Sequence, residues 1–377
     1  MKIIADQQNP FVREAFSRFG DVVMLDGRAI SPEHVRDADI LLVRSVTKVD
    51  AGLLDNSQAR FVGSATSGID HVDVDYLNKQ GIDFAYAPGS NARSVAEYVL
   101  SSLFVLAEQG AFSLMEKTVA IIGCGHVGSC VHEFAQALGM QCFINDPPLK
   151  DKTGSSIYSD LDKALSADIV TIHVPLTDNG DYPTRSMVNA DFLAQLKPGA
   201  IIINTSRGEV VDEAALKQFI DNNGISVVSD VWSNEPCIDT DLLARVAIGT
   251  PHIAGYSLDG KLSATKMLFD QACRHLHVAE EPAPVLEMPA AGVHQINLDA
   301  DDDTIPLAIL AGYDIRSDAA SLRGMLEIKE EARGDYFDAL RNNYPIRREF
   351  RATEIYLSTD RQDIGETLTK LGFTVNI

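Results

Sequence analysis

The sequence is poor in cysteine, tryptophan and positive charge, and no long apolar run goes uninterrupted. Its five cysteines (Cys124, Cys130, Cys142, Cys237 and Cys273) include no Cys-x-x-Cys pair, which argues against a thiolate zinc site and fits a reducing compartment. They read as small apolar residues. Lysine and arginine number 32 against 54 aspartates and glutamates, and the net charge of −22 repels nucleic acid phosphates and anionic lipid. Neither nucleic acid nor membrane is expected as a partner, so an anionic substrate has to be caught by a local group of arginines or lysines. The most apolar long segment, Val95–Ala107, contains Glu97 and is shorter than the ~20 residues a membrane helix needs. It reads as a buried helix. The opening MKIIADQQNP meets Asp6 too early for a signal peptide, and a cytoplasmic location is expected.

What is present is alternation. Short apolar runs at Ile3–Ala5, Val22–Leu25, Ile40–Val43, Phe61–Val62 and Phe84–Ala85 leave room for helices between them. A second series follows at Val119–Ile122, Cys142–Ile144, Ile169–Ile172, Ala200–Ile203, Val227–Val228 and Val246–Ile248. Strand-helix alternation implies parallel sheets covered on both faces, here two α/β units in tandem. From Glu280 the composition changes to EEPAPVLEMPAAG and an acidic run at 299–303, which reads as a linker. Beyond it, a largely helical Ile305–Leu326, a strand at Glu354–Leu357, a helix at Asp363–Leu371 and a closing strand at Phe373–Ile377 predict a small α+β domain.

In VAIIGCGHVG, the apolar run Val119–Ile122 ends in Gly123, Gly125 and Gly128, spaced G-x-G-x-x-G before a helix over roughly 127–138. Strand, glycine turn and helix together fit a dinucleotide. The first glycine permits the turn, the second lets a pyrophosphate approach the backbone, and the third lets helix and strand pack closely. The helix start supplies N–H groups for the phosphates. The next apolar run ends at Asp146, where a carboxylate can accept from both ribose hydroxyls and repel a 2′-phosphate. NAD is therefore expected over NADP, with Lys150 and Lys152 nearby as the counter-indication.

Three later strands end in Asn204-Thr205-Ser206-Arg207-Gly208, in Asp230 to Pro236, and in Thr250 to Tyr256. Open α/β sheets bind ligands at strand ends. Arginine, glutamate and histidine delivered to one edge suit the oxidation of a 2-hydroxy acid. His252 takes the hydroxyl proton, Glu235 fixes its tautomer and stabilises the imidazolium, and Arg207 holds the substrate carboxylate by a two-pronged contact. The nicotinamide takes the hydride, so no metal is required. Each residue also has an ordinary structural explanation, and the coincidence at three strand ends is what favours chemistry.

GCGHVG with Asp146, HVPLT from His173, LKPGAIIINTSRGEVVDEAAL from Leu196, DVWSNEP from Asp230 and TPHIAGYS from Thr250 resemble, in order, motifs of the D-isomer-specific 2-hydroxyacid dehydrogenases. The likeness covers most of residues 1–280. It implies a Rossmann-type NAD domain at 94–255 and a flavodoxin-like substrate domain from 1–93 and 256–285, completed by a helix over Lys261–His277. A small α+β domain at 286–377 is expected by resemblance to hold two chains together as a homodimer. It also implies Arg207, Glu235 and His252 as catalytic residues. Cofactor contacts are implied at His126, Val127, Asp146, Val174, Thr205, Ser206, Arg207, Asp230 and Gly255 besides the three glycines. A narrower likeness within the family, in LLVRSVTKVD, GSATSGIDHVD, GTPHIAGYSLDGK and NNYPIRREF, implies a phosphorylated 2-hydroxy acid, 4-phosphoerythronate, contacted by Ser45, Thr66 and Tyr256. The alternatives are a phosphoglycerate dehydrogenase-like enzyme and a catalytically silent NAD-sensing corepressor.

A phosphate on the substrate needs a cation beyond Arg207. Arg44, at the end of Ile40–Val43, is one candidate. The other is the tail, where Arg341, Arg347, Arg348 and Arg351 crowd together. The expectation is that Arg44 binds the phosphate and that Arg347 or Arg348 reaches it from the partner subunit. A solvated helix face is the competing explanation of that run.

Overall fold

The structure is a computed structural model that describes residues 1–276, 288–299, 303–358 and 361–376. Most of the expected linker, the middle of the acidic run, His277 and Ile377 lie outside the described residues. The chain divides into two compact units, Met1–Asn91 with Ser257–Pro289, and Ala92–Tyr256 with Ala290–Ile377. Among the described residues no helix is long and apolar enough to cross a membrane.

The first unit is a parallel sheet of β1 (Lys2–Asp6), β2 (Asp21–Leu25), β3 (Ile40–Val43), β4 (Phe61–Ser64) and β5 (Asp83–Tyr86), in the order β2-β1-β3-β4-β5. Two of the three interior strands, ILLV and FVGS, are buried along their whole length, as a parallel sheet covered on both faces requires. One face packs on Leu268, Phe269, Ala272 and Cys273 of the helix Leu258–His275, which belongs to the same compact unit. Val35, Leu53, Leu54 and Leu77 cover the other face.

The second unit contains β6 (Thr118–Ile122), β7 (Gln141–Asn145), β8 (Ile169–Ile172), β9 (Ile201–Asn204), β10 (Ser226–Ser229) and β11 (Ile248–Gly249), all parallel, in the order β11-β10-β9-β8-β6-β7. Alternation sends Val119 and Ile121 to one core with the helices Ala92–Gly110 and His126–Ala137, and Ala120 and Ile122 to the opposite core. The strand expected at Val246–Ile248 begins later. The Val246 N–H is used by the helix Thr240–Arg245, where it donates to the Leu242 carbonyl, so pairing with β10 starts at Ile248.

The same unit carries a three-stranded parallel sheet of β12 (Gln295–Leu298), β13 (Glu354–Leu357) and β14 (Thr374–Asn376), with β13 central. β12 escaped the sequence reading because Gln295 and Asn297 break the apolar pattern and only Leu298 is buried. The helical stretch expected over Ile305–Leu326 is interrupted at Tyr313–Ile315, giving Thr304–Gly312 and Arg316–Arg323. Its apolar face is covered within the chain, with Ala308, Ile309, Tyr313 and Ile315 buried in the core that contains the helix Ala92–Gly110. There the Ser101 hydroxyl donates to the Tyr313 carbonyl (2.8 Å) and accepts from the Ile315 N–H (3.1 Å).

Candidate active site

The glycine turn follows β6. Gly123 has φ +87°, and a Cβ there would stand 2.6 Å from the His173 carbonyl oxygen. A Cβ on Gly128 would run into the Gly123 carbonyl, so this glycine is what lets the helix His126–Ala137 lie against the turn. Nothing lies within 4 Å of the place a Gly125 Cβ would occupy, and no side chain caps this helix start. Space and N–H groups are thus left for a pyrophosphate. His126 is exposed and Val127 half-buried at the first two helical positions.

Asp146 stands at the end of β7. It accepts the Cys124 N–H at 2.7 Å through Oδ2 and the Leu149 N–H at 3.0 Å through Oδ1, so its carboxylate is held to the glycine turn and retains lone pairs for ribose hydroxyls. Lys150, which could have favoured a 2′-phosphate, pairs with Asp160 at 2.7 Å. These features fit NAD.

Past β8 and β9, the His173 imidazole lies between the Thr171 hydroxyl (Nε2, 2.8 Å) and the Thr205 hydroxyl (Nδ1, 3.2 Å). Burial pushes its pKa down to about 3, so it acts as a neutral spacer that fixes Thr205. Val174 follows it, half-buried, and Ser206 is buried with its hydroxyl donating to Asn204 Oδ1 at 2.8 Å. Arg207 is half-buried, and its Nη1 donates to the Ser206 carbonyl at 2.7 Å. The next residue explains how two strand-end loops meet, since a Cβ on Gly208 would collide with the Trp232 carbonyl carbon. Arg207 and the Trp232–Glu235 turn are therefore pressed together backbone to backbone.

Glu235 and His252 form a pair, with Nδ1 2.7 Å from Oε2. The other carboxylate oxygen accepts the Trp232 N–H at 2.9 Å. Burial raises the Glu235 pKa, but the His252 charge and hydrogen bond, the Arg341 charge and the Trp232 N–H outweigh it and leave the group below its usual range. His252 remains 34% exposed, so the dyad is open to a ligand. Both residues are held by strained backbone, with φ +56° at His252 and +61° at Asn234 just before Glu235.

Asp230 holds that strain in place. It is 1% exposed and accepts from the Thr250 hydroxyl (2.7 Å), the Ile253 N–H (2.7 Å) and the Ala254 N–H (2.9 Å), while its own carbonyl accepts the His252 N–H at 2.7 Å. The carboxylate expected to touch cofactor is thus occupied with the histidine loop. The single tryptophan does related work, since buried Trp232 donates from Nε1 to the Thr250 carbonyl at 2.9 Å and ties the Glu235 and His252 loops together. Neither role was read from the sequence, because both depend on loops meeting across strands. Gly255 and Tyr256 are half-buried in the same loop.

The remaining expected residues lie in the first unit. Ser45 is exposed after β3, and the Thr66 hydroxyl is bonded to the Ser64 hydroxyl and the Gly68 carbonyl, both at 2.7 Å. Arg44 Nε donates to fully buried Asp6 at 3.0 Å, so part of its guanidinium neutralises a core carboxylate. In the second unit Arg347 is buried, with its donors turned to the Ala254 and Ser94 carbonyls of its own chain, which corrects the expectation that it could reach out to a partner subunit. Arg348 is half-buried in the same segment. A hollow of about 370 Å³ at the opposite, amino-terminal edge of the six-stranded sheet is lined by Lys117, Asp168 and Lys197 among others, and Lys197 already pairs with Asp168 at 2.9 Å. None of the site residues named above lines it.

Comparison with known proteins agrees with this geometry. Residues 101–254 match the family described as D-isomer specific 2-hydroxyacid dehydrogenase, NAD binding domain, and residues 285–372 match a domain of unknown function, DUF3410. An NAD+-bound 3-phosphoglycerate dehydrogenase of Entamoeba histolytica shares the fold over 77% of this chain and 99% of its own, with a TM-score of 0.64 at 24% identity. An erythronate-4-phosphate dehydrogenase of Hahella chejuensis is 44% identical over all of both chains, and one of Cronobacter sakazakii is 42% identical over 99% of this chain and 98% of its own. Likeness of this degree along the whole length places the chain in the erythronate-4-phosphate dehydrogenase family, within the NAD-dependent D-isomer-specific 2-hydroxyacid dehydrogenases.

Proposed function

We propose that this chain oxidises 4-phosphoerythronate at C2 to 3-hydroxy-2-oxo-4-phosphooxybutanoate, a step of pyridoxal phosphate biosynthesis. The observation that carries the reading is the 2.7 Å pair of His252 Nδ1 and Glu235 Oε2, on a loop pressed against Arg207-Gly208. With Nδ1 donating to the carboxylate, Nε2 is left as an acceptor. There it takes the proton of the substrate hydroxyl. When bound, NAD accepts the hydride from C2, so one proton and one hydride leave together and the C–O bond becomes a carbonyl. The carboxylate of Glu235 stabilises the imidazolium that forms, and His252 then returns its proton to solvent. Arg207 holds the substrate carboxylate through paired donors and polarises the C2 oxygen.

Ser45, Thr66 and Tyr256 are the substrate contacts in this reading, with Arg44 and Arg348 retained as candidates for the phosphate. Gly123, Gly125, Gly128 and Asp146 serve the pyrophosphate and ribose, while His126, Val127, Val174, Thr205, Ser206, Asp230 and Gly255 line the cofactor directly or through the loops they hold. The functional division is into residues 1–93 with 256–285, 94–255 and 286–377. The protein works as a cytoplasmic homodimer. Steady-state rates with NAD test the substrate: kcat/KM should be higher for 4-phosphoerythronate than for 3-phosphoglycerate or erythronate, and a preference for 3-phosphoglycerate would overturn the assignment.

A further inference from the structure

The C-terminal region holds the loop of His252 at two points. At the first, Arg347 donates to the Ala254 carbonyl (3.1 Å) and the Ser94 carbonyl (2.6 Å), lies 3.6 Å from the centre of the Tyr313 ring, and has the Glu97 carboxylate 3.6 Å away. Nη1 and Nη2 are both taken up by carbonyls of the chain, Nε makes no hydrogen bond, and the cation packs on Tyr313 beside Glu97, so Arg347 serves as an anchor. The second point is Arg341, on the helix Arg333–Asn342. Nη2 donates to the Tyr256 hydroxyl at 3.0 Å, and the guanidinium carbon lies 5.7 Å from the Tyr256 ring centre and 5.9 Å from that of Phe337.

Unlike Arg347, Arg341 has no carboxylate within ion-pair distance, and Nε and Nη1 make no hydrogen bond among the described residues. The aromatic faces steady the cation without neutralising it. Arg341 is half-buried with its Nε buried and unpartnered, so part of its hydration is lost with no anion to replace it. The charges acting on Arg341 from farther away are Glu235 and Asp338, and Glu235 is already engaged by His252 and the Trp232 N–H. Arg341 is therefore an unpaired cation held by Tyr256, four residues beyond the catalytic histidine.

We propose that Arg341 binds the phosphate of the substrate, so that the region matched only to a domain of unknown function supplies a specificity residue to the active site of its own chain. The inference rests on the functional reading above, in which Arg207 takes the carboxylate and the phosphate at the far end of the molecule needs another cation. Arg44 is a weaker candidate for that task because it already neutralises Asp6. Arg341 offers a planar fork with unused donors, the geometry a phosphate accepts best.

The test uses the full-length protein as wild type, Arg341→Met and Arg341→Lys. Methionine keeps an apolar stem between the rings but removes the charge. For Arg341→Met, kcat/KM with 4-phosphoerythronate should fall about tenfold or more, while the lower rate with erythronate stays nearly unchanged. Lysine should recover part of the preference. Equal losses on both acids, or no loss on either, would overturn the proposal. Titration of the NAD-loaded proteins with inorganic phosphate gives a readout independent of turnover: the wild type should bind it, Arg341→Met should not, and equal binding by both would also overturn it. If the wild type fails to oxidise 4-phosphoerythronate but its phosphate binding still depends on Arg341, the substrate assignment fails and the anion site stands. Should the methionine variant not fold, Arg341→Lys decides, since an undiminished preference for the phosphorylated acid and unweakened phosphate binding would show that the fork is not used.

Discussion

His252 Nδ1 meets Glu235 Oε2 at 2.7 Å although the two residues sit on loops after different strands, and both loops are pinned by contacts that involve neither side chain. Asp230 fixes the histidine loop and Trp232 joins it to the glutamate loop. His252→Ala should lower kcat by roughly 10²- to 10⁴-fold, the usual worth of a general base, with NAD affinity nearly intact. Glu235→Gln removes the charge that stabilises the protonated dyad, so the acidic limb of the rate profile should move to lower pH. An unchanged profile would separate Glu235 from the proton transfer.

The cofactor preference rests on Asp146, whose two oxygens are held by the Cys124 and Leu149 N–H groups. Asp146→Ser should weaken NAD much more than NADP, as measured by the ratio of their KM values. A wild type that uses both equally would show that the carboxylate does not read the ribose.

Glu97 offers a stability test. Burial pushes its pKa up to about 8 from 4.5, against the pull of Arg347 and the Phe350 N–H. Between those values the folded state holds a proton that the unfolded state has released, so stability falls as pH rises through this window. Thermal melts of the wild type should therefore lose more between pH 5 and pH 8 than those of Glu97→Gln. Parallel losses would mean that Glu97 is ionised in the fold throughout.

Much of this was legible in the chain. The strands of both large sheets announce themselves because parallel central strands, such as ILLV and IIIN, are apolar without interruption. The trio proposed as catalytic could be picked out because each member lies in the loop that follows a strand of the six-stranded sheet. β12 was not, since an edge strand with one buried residue carries no periodic signal. Arg341 and Arg347 stand in a basic run that the sequence alone assigns either to the phosphate or to a solvated face, and only the tertiary structure turns them onto Tyr256 and Ala254. The burial of Ile309 and Ile315 beside the helix Ala92–Gly110 was hidden for the same reason, because a face that is apolar in sequence does not name what covers it.

With that face buried, the proposed dimer has to use other surface. The outward face of the three-stranded sheet presents Tyr356 at 39% exposure, and Val293, Leu307 and Ile346 are exposed in the same C-terminal region. The full-length protein should sediment as a dimer, and the double substitution Leu307→Glu with Tyr356→Glu should shift it toward monomer. A monomeric wild type would remove the homodimer from the account.

The most direct test of the central claim is a single turnover of full-length protein with NAD and 4-phosphoerythronate deuterated at C2, followed by mass analysis of both products. The account predicts that deuterium appears in the reduced nicotinamide and that the acid becomes its 2-oxo form. It also predicts that His252→Ala, still loaded with NAD, gives neither product on the same time scale. Deuterium released to water, or turnover preserved in His252→Ala, would contradict it.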